Sequence, residues 1–416
     1  MIRLRPETRH TVVLLLGTGI TTALGLAYGV YATRMLPEGS VGTFAHALSI
    51  VAFLQIALGP INGTVAKFTA EYAGKGELGR VRSLVGEVAR RVARYGAIVL
   101  TLAVVVAFPL AAYWKYASPG PLILALLITF VTLLLSVTRG ALRGLQRFGS
   151  LNGNTIFESA CRLLVGLPLL MLWLNATAAL SAYFVALMAT LVLARRQLRG
   201  VWAGAAPVSI DGRSVRRFAL PMFVLMLASA GFQNIDMLVV KRALSTADAD
   251  AYGVAFYLTG RAVAVLVTPF NTLMLPMLAN LHGAGRSTQS PFLRVCGYFI
   301  LLAAIPLGLF FMWPGAIIHG LYGDRFTGAV ALLCPLAVVR LMGHLCHMIG
   351  LAGAASGRFG FLYVYVIGFI AQAIALGVCE STASAIVSAL LWIQALTLGM
   401  LIVGRVRAWR RSRGSP

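Results

Sequence analysis

Charged residues are scarce in this sequence, and acidic residues are the scarcest. Only 11% of the 416 residues are charged, and 12 Asp and Glu stand against 35 Lys and Arg. A soluble globular protein carries about 25% charged residues, so the composition excludes that class. Hydrophobic residues make up 59% of the chain and recur in runs of about 20, the length that a helix needs to cross a bilayer. We therefore predict an all-α integral membrane protein.

Catalytic, nucleotide-binding and metal-binding motifs are also missing. The sequence contains no GxxxxGK[ST] phosphate loop, and its five cysteines form no CxxC pattern. The predicted outer loops are too short to carry the catalytic groups of a membrane polymerase or ligase. His344 and His347, with Cys346 between them, could suggest a metal site, but no third strong metal ligand is evident in the sequence. We therefore interpret these residues as structural or cavity-lining polarity. We expect neither an enzyme nor a cofactor.

The apolar runs predict twelve transmembrane spans of roughly the length that a bilayer requires. The predicted spans are Thr11–Met35, Val41–Ala66, Tyr95–Tyr113, Leu122–Val137, Ile156–Leu174, Ala176–Ala194, Phe218–Val240, Tyr252–Leu278, Val295–Trp313, Gly328–Ile349, Phe359–Val378 and Ala383–Val403.

The basic residues indicate how these spans are oriented. Most of the 35 Lys and Arg fall in every second connecting segment, and only a few fall in the others. Cytoplasmic loops carry such an excess, so both termini are predicted to be cytoplasmic. This distribution also explains the net charge of +23 without a nucleic-acid partner. The longest cytoplasmic segment, Lys67–Arg94, is predicted to be an interfacial amphipathic helix or a solvated linker.

The spans divide into two halves that resemble each other. We predict an N-terminal six-helix lobe at 1–200, a cytoplasmic linker at 201–217 and a C-terminal lobe with a basic tail at 218–416. Each half carries a basic residue after its first span, a proline late in its second and a Gly-x-Gly pair beyond it. Since both halves start inside, the repeat predicts a pseudo-two-fold axis along the membrane normal.

Basic residues inside the spans are the main sign of function. Arg261 and Arg340 are each predicted to lie near mid-depth, where an unpaired charge costs on the order of 3 kcal/mol. Arg34 and Asp236 lie near the predicted outer surface, and Lys67 ends the second span. Because these cations outnumber the acids at depth, we predict a cationic cavity for an anionic ligand. The alternative is that Arg261 and Arg340 snorkel or bond to backbone carbonyls freed by Pro269.

Several motifs resemble those of Wzx-type polysaccharide flippases. Arg34-Met-Leu-Pro-Glu-Gly-Ser-Val-Gly42 is similar to the end of that family's first helix. Asp236, Tyr252-Gly-Val-Ala255 and Leu275-Pro276-Met-Leu278 are similar to its seventh and eighth helices. The order and spacing of these motifs extend the resemblance over nearly the whole chain.

This resemblance implies the multidrug/oligosaccharidyl-lipid/polysaccharide exporter fold, with a central cavity lined by helices one, two, seven and eight. It implies a bacterial cytoplasmic-membrane flippase that moves undecaprenyl-diphosphate-linked saccharides outward by alternating access. Glycosyltransferases or a polymerase of the same pathway would be its partners, together with membrane lipids. By position it assigns Arg34, Lys67, Asp236 and Arg261 to the cavity, whereas Arg340 rests on its depth alone.

Two other functions remain open at this stage. A cation-coupled multidrug exporter would have the same fold, although it should favour acidic cavity residues. A membrane scaffold of an envelope-polymer complex would transport nothing. Asp236 is either a coupling site or, as we prefer, a partner of Arg34, Lys241 or Arg242 at an outer gate.

Overall fold

The protein is almost entirely helical in the residues that its structure, a computed structural model, describes: 6–57, 59–199, 212–283, 287–355, 361–378 and 382–413. A short 3-10 helix, Asp324–Ala329, accompanies the α-helices. The α-helices of these ranges are α1 (Pro6–Met35), α2 (Ser40–Ala57), α3 (Pro60–Gly74), α4 (Leu78–Tyr113), α5 (Gly120–Gly144), α6 (Phe148–Leu172), α7 (Ala176–Arg199), α8 (Gly212–Ala243), α9 (Thr246–Gly283), α10 (Gln289–Met312), α11 (Pro314–Tyr322), α12 (Val330–Ala355), α13 (Phe361–Val378) and α14 (Ala383–Arg413).

The predicted all-α membrane fold is confirmed. Each predicted span coincides largely with helical residues, and nine helical stretches within the described residues are long and apolar enough to cross a membrane. The remaining three predicted spans coincide with α1, α8 and α9. The short helix α11 lies between the ninth and tenth predicted spans, in a segment for which we predicted no helix.

The second predicted span, Val41–Ala66, consists of two helices. α2 ends at Ala57, and α3 begins at Pro60. A proline inside a helix removes a backbone hydrogen bond and clashes with the preceding turn. At the first position of a helix it is favourable, because the amide there has no intrahelical partner. The sequence therefore starts a new helix at this point.

The cytoplasmic segment Lys67–Arg94 is mostly helical but is not a separate helix. α3 extends to Gly74, and Gly76 then adopts a φ of +75°, which glycine tolerates without steric cost. α4 begins at Leu78 and continues without interruption into the third span. The basic residues after the turn therefore belong to the beginning of a transmembrane helix.

The chain forms two compact units, Met1–Leu227 and Ala228–Pro416. The division falls inside α8 and not in the predicted linker at 201–217. Residues 200–211 of that linker lie outside the described part of the chain, and α8 already begins at Gly212.

One helix in each unit packs against most of the others. In the first unit α5 contacts α2, α3, α4, α6 and α7, and in the second unit α12 contacts α9, α10, α13 and α14. Two further pairs also correspond: α6 packs on α7 as α13 packs on α14, and α3 packs on α4 as α9 packs on α10. The two units thus share one packing pattern, as expected of an internal repeat.

Two glycines allow α5 to approach α3 closely. A Cβ atom on Gly140 would lie 2.8 Å from the Asn62 carbonyl oxygen, and one on Gly144 would lie 2.5 Å from the Ala66 carbonyl oxygen. Around this contact Val65, Val81, Val85, Val137, Ala141, Leu142 and Leu198 form a buried apolar cluster. The small residues thus bring two backbones into contact, as is common between transmembrane helices.

We expect Gly144→Ala to destabilise the protein by about 1–3 kcal/mol, the usual cost of overpacking a core. The control is Gly153→Ala in α6, where a Cβ would meet nothing within 4 Å. There the better helix propensity of alanine should stabilise the protein by up to about 1 kcal/mol. Thermal unfolding of the purified variants measures both effects. Shifts of the same sign in the two variants would contradict the close α3–α5 contact.

Candidate functional site

The second unit contains a buried ion pair between Asp236 on α8 and Arg340 on α12. Asp236 is 1% exposed and Arg340 is 5% exposed. The distance from Arg340 Nη2 to Asp236 Oδ2 is 3.4 Å. The Tyr252 hydroxyl on α9 donates a hydrogen bond of 2.8 Å to the same carboxylate oxygen. We call Asp236, Tyr252 and Arg340 the ionic centre.

A short connection sets α8 and α9 in register at this centre. α8 ends at Ala243 and α9 begins at Thr246, so Asp236 and Tyr252 lie at similar distances from the turn. The Ser245 hydroxyl accepts a hydrogen bond from the Asp248 amide at 3.2 Å, which satisfies one free amide of the first turn of α9. The local sequence of the turn thus brings the tyrosine hydroxyl to the level of the carboxylate.

Three groups contact the Arg340 guanidinium. It donates to Asp236 and to the backbone carbonyl of Gln233, and its Cζ lies 4.0 Å from the centre of the Phe256 ring. Charge pairing, a carbonyl acceptor and a cation–π contact together offset part of the desolvation of a buried arginine. Two buried atoms, Asp236 Oδ1 and Arg340 Nε, have no hydrogen-bond partner among the described residues.

This geometry corrects two expectations. The partner of Asp236 is Arg340, whereas we preferred Arg34, Lys241 or Arg242 at an outer gate. Arg340 therefore has an internal counter-ion, and its charge does not require an anionic ligand. Sequence position along separate helices suggested different depths for the two residues, but packing of α8 against α12 brings them together.

Further buried polar groups lie along α8 beside the ionic centre. Ser229 Oγ and His347 Nδ1 share a hydrogen bond of 3.0 Å, and Gln233 Nε2 donates to Ser229 Oγ at 3.1 Å. Gln394 Nε2 donates to the Phe232 carbonyl at 3.1 Å. His347 therefore lines a polar strip between α8 and α12, in agreement with its interpretation as structural polarity.

A second ionic cluster lies in the first unit. Arg139 on α5 contacts Glu158 on α6 at 2.7 Å and Asn154 Oδ1 at 2.8 Å. Arg162 lies 3.9 Å from the same glutamate, and its Cζ lies 4.3 Å from the centre of the Tyr183 ring. One carboxylate thus serves two arginines within the unit.

The remaining predicted cations are more accessible than Arg340. Arg34 in the last turn of α1 and Lys67 on α3 are exposed. The Lys67 Nζ lies 5.3 Å from the centre of the Phe68 ring. Arg34 and Lys67 belong to the first unit, and Arg261 belongs to the second.

Arg261 lies on the other side of α9 from the ionic centre. It is half-buried, and its Cζ lies 5.1 Å from the centre of the Tyr257 ring. Arg261 follows Tyr252 by nine residues, and at 3.6 residues per turn that places the two on opposite faces. Burial raises the pKa of Tyr322 on α11, and the neighbouring Arg261 charge opposes part of this rise. Arg261 is therefore close to the connection between two spans, not isolated among apolar helices.

Our reading of the sequence missed Glu158, Tyr252 as a hydrogen-bond donor, Gln372 and Gln394. Glu158 offered a usable signal, because an acid inside an apolar span needs a compensating cation. The glutamines and the tyrosine offered none, since polar uncharged residues are common in such helices. Only the packing shows that they face the interior.

We expect Asp236→Asn to lower the free energy of unfolding by about 3–5 kcal/mol, because it leaves the Arg340 charge buried without a counter-ion. The double variant Asp236→Asn/Arg340→Gln should regain much of this loss. The control Asp248→Asn keeps a side-chain oxygen that accepts the Ser245 hydroxyl at an exposed site, and it should change little. Equilibrium unfolding of the variants gives the coupling energy. Additive effects of the two single substitutions would contradict the ion pair.

Comparison with known proteins agrees with this architecture. The model of a family described as polysaccharide biosynthesis protein matches residues 8–282. An inward-facing multidrug resistance MATE family transporter of the MOP superfamily has a TM-score of 0.72 at 13% identity, covering 98% of this chain and 100% of that chain. An outward-facing MATE family transporter has a TM-score of 0.67 at 14% identity, covering 96% and 94%.

A MOP superfamily transporter from Pyrococcus furiosus, for which reverse polarity of the binding pocket suggests a different function, has a TM-score of 0.68 at 13% identity, covering 96% and 94%. At these identities the likeness establishes the fold alone. The search of curated proteins found no significant match.

Proposed function

This chain belongs to the polysaccharide biosynthesis protein family, and from that premise we propose that it is a flippase for undecaprenyl-diphosphate-linked saccharides. It moves them from the inner to the outer leaflet of the bacterial cytoplasmic membrane for cell-surface polysaccharide synthesis. The observation that carries the proposal is the family match over residues 8–282 in a chain that has a transporter fold. In this proposal both termini are cytoplasmic, and enzymes of the same pathway supply and use the lipid-linked sugar.

Alternating access is the proposed mechanism. Solved structures that share this fold include a transporter described as inward-facing and another described as outward-facing. Two compact units of the same packing pattern are suited to such a movement, because rigid lobes can rock about a substrate. We extend this behaviour to the lipid-linked substrate as part of the proposal.

The proposed contact for the diphosphate is Arg261 in the second unit, and Arg34 and Lys67 in the first unit stay predicted substrate contacts. All three are more exposed than Arg340, and a guanidinium binds phosphate oxygens through paired hydrogen bonds. Arg261 is the strongest of them, because its half-buried position weakens competition from water. Arg340, which we first grouped with them, has its charge engaged by Asp236. We now propose that it positions α8 and α12.

The ionic centre is the proposed element that couples transport to an ion gradient. Asp236 Oδ1 is buried and has no hydrogen-bond partner among the described residues. Binding of a proton or metal cation at this carboxylate would weaken its pairing with Arg340 and change the packing of α8 on α12. A membrane potential supplies about 2.3 kcal/mol per charge per 100 mV for such a step.

A multidrug exporter of the same fold is the main alternative. Several relatives in structure are described as multidrug transporters. A cationic drug requires an accessible acidic group, and the buried Asp236 of the second unit is engaged by Arg340. The excess of 35 basic over 12 acidic residues favours an anionic substrate. A scaffold without transport is the other alternative, and it predicts no flipping at all.

We expect Arg261→Gln to reduce flipping by about tenfold or more, since losing one charge-assisted hydrogen bond costs about 1.5–3 kcal/mol. The control is Arg325→Gln in the same unit, an exposed arginine whose Cζ lies 4.5 Å from the centre of the neighbouring Phe326 ring. Proteoliposomes containing fluorescent polyprenyl-diphosphate-linked saccharide, with a membrane-impermeant quencher, measure the rate.

Three outcomes separate the proposed functions. Equal rates for both variants would contradict a substrate role of Arg261. Wild-type protein without any flipping activity would favour the scaffold. Efflux of a cationic dye without movement of the lipid-linked sugar would favour the drug exporter.

We expect Asp236→Glu to retain gradient-driven flipping and Asp236→Asn to lose it, because only the acidic side chain can exchange a cation or proton. Purified, folded protein is reconstituted, and a pH or sodium gradient is then imposed across the vesicles. The measured quantity is the ratio of the flipping rate with the gradient to the flipping rate without it. A ratio that stays at the wild-type value in Asp236→Asn would show that coupling resides elsewhere.

A further inference from the structure

A lateral apolar groove in the first unit is distinct from the ionic clusters described above. Its volume is about 380 Å³, and its walls come from α2, α3, α4 and α5, including Leu54 and Ile61. On α4 the lining residues recur at intervals of three and four from Arg91 to Ala103, so they form one helix face. At 1.5 Å per residue this face is about 18 Å long. We call it the α4–α5 groove.

Beyond Arg91, only Tyr95 and Thr129 among the lining residues carry a polar atom in the side chain. Thr129 lies in its wall, but the hydroxyl donates a hydrogen bond of 2.8 Å to the Ala125 carbonyl of its own helix. Gly96 lets α4 pack closely against α5 near the middle, since a Cβ there would lie 2.9 Å from the Phe130 ring. This part of the groove therefore favours an apolar occupant such as a hydrocarbon chain.

One end of the groove is strongly basic. Arg91 is its first lining residue on α4, and Arg90 and Arg94 lie within about one turn of it. Arg91 forms an ion pair with Glu87, so three cations stand against one carboxylate. The other end, at Ala103, lies inside the apolar part of α4. The groove thus combines a cationic entrance with an apolar interior.

We propose that the α4–α5 groove binds one acyl chain of an anionic glycerophospholipid, with the lipid phosphate at Arg91. The charge of the entrance complements a phosphate, and basic residues at the end of a span attract anionic lipids. The arginines lie at one end of the groove only, so they can hold the phosphate of a lipid at one leaflet. The groove therefore suits a lipid that stays in that leaflet and not one that is moved to the other. This inference requires only that the chain spans a membrane and is independent of the proposed substrate.

The test uses full-length protein in phosphatidylcholine nanodiscs that contain a small fraction of photoactivatable phosphatidylglycerol. Cross-linked peptides are mapped by mass spectrometry. We expect labelling between residues 91 and 133, and we expect Arg91→Gln to reduce it about fivefold, the effect of one basic residue near an anionic lipid. The matched control is Arg82→Gln, an exposed arginine on α4 about 13 Å before Arg91. It should leave the labelling unchanged.

A second pair of variants tests the apolar part of the groove. Ala103→Phe should fill its far end and reduce labelling, whereas Leu102→Phe, on the neighbouring exposed position, should not. Both positions lie on α4, a helix that other helices cover only in part. Thermal unfolding of each variant checks that it remains folded.

Three results would overturn the proposal. Equal labelling of Arg91→Gln and Arg82→Gln would remove the role of the entrance. Equal labelling by a phosphatidylcholine probe would remove the preference for anionic lipid. Displacement of the probe by a stoichiometric amount of undecaprenyl diphosphate would assign the groove to a polyprenyl lipid instead.

Discussion

Arg340 lies among apolar helices with only 5% of its surface exposed, and Asp236 on another helix provides its counter-ion. Desolvating a charge costs several kcal/mol, so a cation and an acid that meet inside a bundle constrain where the helices can pack. The same principle operates in the first unit, where Glu158 lies between Arg139 and Arg162. Pairing of buried charge therefore organises both units.

This pairing separates the basic residues into two groups with different roles. Arginines that have an acid partner inside a unit stabilise helix packing. Arg261 is half-buried beside the Tyr257 ring, Lys67 is exposed beside the Phe68 ring, and Arg34 is exposed. The proposed binding of a diphosphate by these accessible cations agrees with a family described as polysaccharide biosynthesis protein.

Small residues and prolines supply the second constraint. Gly140 and Gly144 let α5 approach the α3 backbone, while Pro60 divides the second span into two helices. α5 and α12 then each pack against most of the other helices of their unit. α4 is more peripheral, and its apolar face forms one wall of the α4–α5 groove. In our proposal an acyl chain fills this groove while the phosphate of the same lipid binds Arg91.

The sequence by itself determined the helical membrane class and the approximate position of nine spans, because length and hydrophobicity of a run decide whether it crosses a bilayer. It also indicated the repeat and marked Arg340 and Asp236 as costly residues. Only the tertiary structure decided that those two are partners and that Glu158 serves two arginines. These relations join residues on different helices, and no local pattern contains the distance between two helices that pack together.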